Sequence, residues 1–243
     1  MQSEEIKKFY NTLPQKDQAA DYESYRWHKD ELAQAGYVMN LNSLNFLIKD
    51  CPENQDYLEL GPGAGTWTKV LLKQKLQQTI DLVDISSEML KQAENNLIDL
   101  SNLHYIESDF VNFRPNKKYG VFFSCRAFEY LSDQEGAIRH LAELLNQGAW
   151  GLIITKNPRY FFDRLLGRKV VKMHLGQINP FKLKGFLQKY GFNKIEIYPI
   201  TVTCPLFKSA KLNYLAYKIL YRFKYSLISC LFTEAYGIKF RKS

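Results

Sequence analysis

The chain has 243 residues, 46% hydrophobic and 24% charged, a composition ordinary for one soluble globular domain with a sizeable core. Its four cysteines, Cys51, Cys125, Cys204 and Cys230, form no CxxC pair, which argues against a disulfide framework or zinc site and fits a reducing cytoplasm. The N-terminus MQSEEIKKFY lacks the apolar core of a secretory leader, and no run approaches the ~20 apolar residues of a membrane span.

Charge is distributed unevenly. Residues 1–155 carry 15 Lys+Arg against 22 Asp+Glu, residues 156–200 carry 10 against 2, and residues 201–243 carry 8 against 1. A basic C-terminal third suggests an anionic partner on one face, with a merely solvated basic surface as the plainer alternative.

In chain order, residues 1–50 read as helical and polar. SEEIKKFYNTL forms a short helix that Pro14 breaks, and Tyr22, Tyr25, Trp27 and His28 then cluster within seven residues. Leu41, Leu44, Leu47 and Ile48 recur at helical spacing and should pack on a sheet. Next comes DYLELGPGAGTWT, residues 56–68. Tyr57 to Leu60 is a strand, Gly61, Gly63 and Gly65 follow at alternate positions, and Thr66 caps a helix beginning near Trp67. Strand, glycine turn and helix start make an anion and nucleotide cradle, because the backbone there must take positive φ and approach a ligand closely. Glu59 precedes the turn. Nineteen residues after Gly65, Asp84 closes the apolar run Ile80–Val83, where a carboxylate can grip ribose hydroxyls.

The pattern ExGxGxG followed by that aspartate resembles the class I S-adenosylmethionine-dependent methyltransferases, from about Asp56 to the C-terminus. A nicotinamide-binding Rossmann protein is the alternative, and the glycine spacing and the missing second nucleotide-binding half weigh against it. The resemblance implies a Rossmann-like α/β fold: a seven-stranded, mostly parallel sheet with an antiparallel last strand and helices on both faces. It implies S-adenosyl-L-methionine as cofactor, with Glu59, Gly61, Gly63 and Gly65 about its methionine part, Asp84 and Ile85 at its ribose, Asp109 and Phe110 at its adenine, and Ser124 below. It also suggests that the N-terminal helices form a lid, though the aromatic cluster serves equally well as a staple onto the core.

The remaining elements continue the alternation of strand and helix. The first helix should run to about Leu76. Strand two is Ile80–Val83, Ser86 or Ser87 caps the next helix, strand three is Leu103–Ile106, and strand four is Val121–Cys125. RAFEYLSDQEG resembles a segment of small-molecule methyltransferases, and Gly120 stands where that family commonly has an acid. Ser132 and Glu135 form a capping box for a helix reaching about Asn146, with His140 structural inside it and Gly148 at its end. Strand five is Ala149–Thr155. Residues 156–178 are basic and aromatic, where the family inserts substrate-recognition elements. Asn179-Pro180 opens a helix ending at Tyr190-Gly191, strand six is Lys194–Val202 and strand seven Ala235–Phe240. Between these last two, Leu212, Ala216, Ile219, Phe223 and Leu227 fall on one helical arc, Lys208, Lys211, Lys218 and Arg222 on a second, and Tyr214, Tyr217, Tyr221 and Tyr225 on a third. Three such faces fit a helix lying at a membrane interface, or one packed on the sheet with snorkelling lysines.

Methyl transfer needs a base only when the acceptor must lose a proton. His174, in the substrate-side segment, is the candidate base, and Arg126 and Glu129 follow strand four at the ligand-binding edge of the sheet. No DPPY string follows strand four, which lowers the case for amino methylation of nucleic-acid bases, and no HExxH or Cys/His cluster calls for a metal. The expected enzyme methylates a small or lipid-linked acceptor, at oxygen, in the cytoplasm or peripherally at the inner membrane surface. A nucleic-acid methyltransferase using the basic third and a non-catalytic cofactor-binding scaffold are the rivals.

Overall fold

A computed structural model describes residues 3–16, 26–73, 79–158, 167, 176–203 and 209–243. Helix α1 spans Ser3–Lys16 and α2 Glu31–Leu47, the latter capped by the Asp30 carboxylate, which accepts from the Ala33 amide. The alternation then runs β1 Tyr57–Leu60, α3 Thr66–Lys73, β2 Ile80–Asp84, α4 Ser87–Asn96, β3 Leu103–Glu107, β4 Tyr119–Cys125, α5 Gln134–Leu144 and β5 Leu145–Lys156. It closes with α6 Pro180–Lys189, β6 Phe192–Val202, α7 Ala210–Arg222, α8 Leu227–Phe232 and β7 Thr233–Lys242.

The seven strands form one sheet in the order β3-β2-β1-β4-β5-β7-β6. Pairs within β3 to β5 are parallel, and β7 runs antiparallel to both β5 and β6. Because helices cover both faces, the central strands are buried almost throughout and mostly apolar, with Glu59, Asp81 and Ser124 as buried polar exceptions. Tyr57 faces a core with Leu44, Leu47, Trp67 and Leu71, while Leu58 and Leu60 face the opposite core with Phe122, Ile138 and Leu141. Strand order reverses between β1 and β4, so the loops leaving their carboxyl ends diverge and open a crevice, where ligands of such sheets bind.

Four local expectations need correction. Helix α1 runs on through Pro14 to Lys16 instead of breaking there. The N-cap of α5 is Asp133, whose carboxylate accepts from the Gly136 amide, and not Ser132; Glu135 instead receives Lys189 and the Tyr190 hydroxyl from α6. Helix α5 stops at Leu144 and β5 follows directly, pairing Leu145 with Tyr119 before a bulge at Gly148 that resumes with Trp150 opposite Val121. The insertion between β6 and β7 is two helices rather than one: α7 ends at Arg222 with Phe223 as its C-cap, Lys224 takes φ 55°, and a capping box at Ser226 starts α8. Leu227 and Tyr225 therefore lie off the α7 arcs.

Candidate active site

A cleft enclosing about 1000 Å³, its solvent mouth included, opens at the carboxyl ends of β1, β2 and β4. Its floor is the glycine turn. Gly61 takes φ 67°, and a Cβ there would overlap the Cβ of Ala127, so no side chain fits between the loops after β1 and β4. Gly63 takes φ 57° and differs: a Cβ built there meets nothing within 4 Å, because that position faces the open cleft. The Gly61 amide donates to the Val83 carbonyl (2.8 Å) and the Gly63 amide to Asp84 Oδ2 (3.3 Å), which ties the turn to the end of β2. Asp84 Oδ1 accepts from the Ser86 amide (2.9 Å), so backbone fixes this carboxylate from two sides. Desolvation by the cleft walls outweighs those bonds and pushes its pKa up to about 6.

Beneath the floor, Glu59 is buried in β1. Burial, with the Asp84 charge adding to it, pushes its pKa up to about 8, and its Oε2 has no hydrogen-bond partner among the described residues. A third wall follows β3. The Asp109 carboxylate accepts from the Val111 amide (3.3 Å) and caps a short turn over Phe110–Asn112, whose Phe110 ring is buried against the edge of His140. His140 Nε2 donates to the Phe113 carbonyl (3.0 Å), a structural role inside α5.

The wall after β4 carries charge. Arg126 adopts φ 65°, with its amide held by the Ile154 carbonyl (2.7 Å). Its Nε donates to Glu129 Oε1 (2.9 Å), and the Thr155 hydroxyl donates to Glu129 Oε2 (2.8 Å). The Glu129 side chain is 2% exposed and that of Arg126 10%. Burial alone would raise Glu129, but the Arg126 guanidinium and these bonds hold it below the usual carboxylate range. Lys156 is lowered by burial and by Arg126 beside it. Arg26, whose guanidinium lies over the Trp27 ring at 5.1 Å, lines the same cleft. Trp27 stands edge-on to Trp67 (5.3 Å), and Tyr10 of α1 edge-on to Tyr130 (5.6 Å). Ser3, Ile6 and Tyr10 place α1 along the rim, secured by the Ser86 hydroxyl donating to Asn11 and by Lys7 pairing with Glu107.

The residues present fit a nucleoside with an attached cationic amino acid: a side-chain-free turn opening into the cleft, a backbone-fixed carboxylate at the end of β2, and an aromatic–acid pair after β3. A methyltransferase-domain family model matches residues 32–197. The chain belongs to that family. Its fold and family are those of the class I S-adenosylmethionine-dependent methyltransferases. It is 32% identical over 122 residues to a malonyl-[acyl-carrier protein] O-methyltransferase of Ilyobacter polytropus, covering 50% of this chain and 46% of that protein. It is 31% identical over 90 residues to a trans-aconitate 2-methyltransferase of an Enterobacter species, covering 37% and 34%. The chain spans about half the length of several curated relatives it matches. The N-methyltransferase NodS of Bradyrhizobium japonicum, solved with S-adenosylhomocysteine, superposes with a TM-score of 0.63 at 14% identity over 96% of this chain and 98% of that one.

Among the residues singled out from the sequence, Gly61, Gly63, Asp84, Ile85, Asp109, Phe110 and Arg126 line the methyltransferase cleft. Glu59, Ser124 and Glu129 are buried behind its walls. Gly65 does not face the cleft: at φ 87° its missing Cβ would press on Leu97 at the end of α4 (2.9 Å). His174, Tyr22, Tyr25 and Lys208 lie outside the described residues, as does most of the segment 156–178. Sequence reasoning missed Tyr10, Arg26 and Tyr130. Arg26 sits inside the aromatic cluster and Tyr130 inside FEYL, so both neighbourhoods were marked while their cleft-facing members were not.

Proposed function

We propose that this chain methylates a carboxylate oxygen of a small or carrier-linked acid. The observation that carries this reading is the pair Arg26 and Arg126 on one cleft. Both side chains line that cleft, and guanidiniums on one cleft suit an anionic group. Glu129 and Thr155 fix the Arg126 fork from behind, so binding an acid costs little side-chain entropy. The malonyl and aconitate acceptors in the relatives' names are acids, which supports the same reading.

When bound, the cofactor supplies an electrophilic methyl on a sulfonium. The chain's residues then have to position rather than activate, because a carboxylate brings its own electron pair and has no proton to lose. Asp84 would hold the ribose, the turn at Gly61 and Gly63 the methionine part, and Asp109 with Phe110 the adenine. The arginines orient the acceptor, and Tyr10, Trp27 and Tyr130 keep water from the reacting end. His174 is not needed as a base for this acceptor.

The test supplies labelled S-adenosylmethionine with a malonyl thioester, aconitate, a catechol and RNA as acceptors. A methyl ester, recognised by methanol release in mild base, is expected from the acids. A base-stable product from the catechol alone, with a pH profile set by His174, would replace the reading with hydroxyl methylation. Methylated RNA would replace it with the nucleic-acid reading.

A further inference from the structure

We propose that the outward face of α7 is a docking surface for an anionic lipid bilayer, an inference that does not depend on the acceptor chemistry. Helix α7 buries its tyrosine side. Tyr217 is buried with its hydroxyl 2.9 Å from Ser43 Oγ, and the Tyr214 hydroxyl accepts from Asn42 Nδ2 (3.0 Å). With that side turned to α2 and β6, the aliphatic arc points to solvent. Leu212, Leu215, Ile219 and Phe223 are 45%, 54%, 52% and 72% exposed. These four form one row about 16 Å long at the helical rise of 1.5 Å per residue.

Beside that row runs a second, of Lys211, Lys218 and Arg222, all exposed. Lys218 Nζ sits 4.9 Å from the Tyr214 ring, so its stem lies along the helix while the side chain stays exposed. From residue 204 to residue 233 the sequence has five Lys or Arg and no Asp or Glu. Lys224 is the one among these that Glu196 engages. Apolar row and cationic row side by side, with the third side anchored to the protein, is the arrangement of a helix lying in the plane of a headgroup layer. An acidic soluble partner would match the cations but leave the apolar row in water. A bilayer interface takes both, and α7 packs along the outer strand β6, Tyr217 beside Val202 and Tyr221 beside Tyr198.

The experiment is co-sedimentation of the whole chain with vesicles of phosphatidylcholine alone and with one-third phosphatidylserine. Binding is expected to the anionic vesicles only, weakened at least tenfold by about 0.5 M salt. An exposed Lys or Arg contributes about fivefold to partition, so the variant Lys211→Gln/Lys218→Gln/Arg222→Gln should lose on the order of a hundredfold. Ile219→Ser/Phe223→Ser should lose at least tenfold with its circular dichroism unchanged. Phe223→Trp should show a blue-shifted emission on adding anionic vesicles and none on adding neutral ones. Wild-type chain that ignores anionic vesicles, a serine variant that binds as well as wild type, or an unmoved tryptophan emission overturns the proposal. So does an acidic carrier protein that binds this face while anionic vesicles do not.

Discussion

On the side of the cleft built after β1 and β2, the groups facing the ligand are placed by backbone. Gly61 and Gly63 take positive φ, and Asp84 is held by the amides of Gly63 and Ser86. On the side built after β4, a chain of side chains does the placing: Thr155 holds Glu129, which holds Arg126. The first arrangement leaves no room for an added atom at Gly61 but needs no partner residue. The second accepts changes of shape but fails when one charge is removed, because its counter-charge stays buried. The glycine-turn side and the charged side of one cleft are thus built by different physics.

The comparison breaks most completely at Gly61. Gly61→Ala adds a methyl that overlaps Ala127 at a residue already in the left-handed region, so the loops after β1 and β4 must separate. Affinity for S-adenosylhomocysteine should fall by about a hundredfold or more, a loss of about 3 kcal/mol. Calorimetry giving an affinity within threefold of wild type would sink this account of the turn.

Next comes the charged wall. Arg126→Met strands Glu129 in the interior and should destabilise the fold by about 3 kcal/mol. Arg126→Met/Glu129→Leu removes both charges and should recover most of the melting temperature while kcat/KM for the acid acceptor stays down by about a hundredfold. Recovery of both would make the pair purely structural.

The buried acids give a pH signature. Burial raises Glu59 from 4.5 to about 8 and Asp84 from 3.8 to about 6. The folded chain then keeps protons that the unfolded chain has released, so stability should fall as pH rises from about 4 to about 8. The apo protein should therefore melt several degrees lower at about pH 8 than at about pH 5, and Glu59→Gln, neutral at both, should flatten most of that difference. A steeper slope in the variant than in wild type would show that other groups carry it.

The smallest effect separates the glycines from one another. Gly65→Ala presses on the flexible end of Leu97 and strains one residue at φ 87°, a cost of about 1–2 kcal/mol. Because Gly65 faces α4 and not the cleft, the melting temperature should drop with S-adenosylhomocysteine affinity unchanged within about twofold. A tenfold loss of affinity would return Gly65 to the cofactor wall.

The sequence by itself determined the alternation of strands and helices, the positions of the glycine turn and the acid that follows it. Those features are local. Apolar strands buried on two faces read as apolar runs, Gly61 and Gly63 mark positive φ, and Asp84 sits where β2 ends. Only the tertiary structure decided what depends on partners far along the chain. The aliphatic and tyrosine arcs of α7 are both candidates for burial until Asn42 and Ser43 of α2 supply partners for the hydroxyls of Tyr214 and Tyr217. Those bonds, with the Tyr221 ring packed on Phe46 and Tyr198, turn the aliphatic row outward. Gly65 is likewise indistinguishable from Gly63 in spacing until Leu97 packs against it. Arg126 and Glu129 become a fixed pair rather than two adjacent charges only because β5 brings Thr155 alongside.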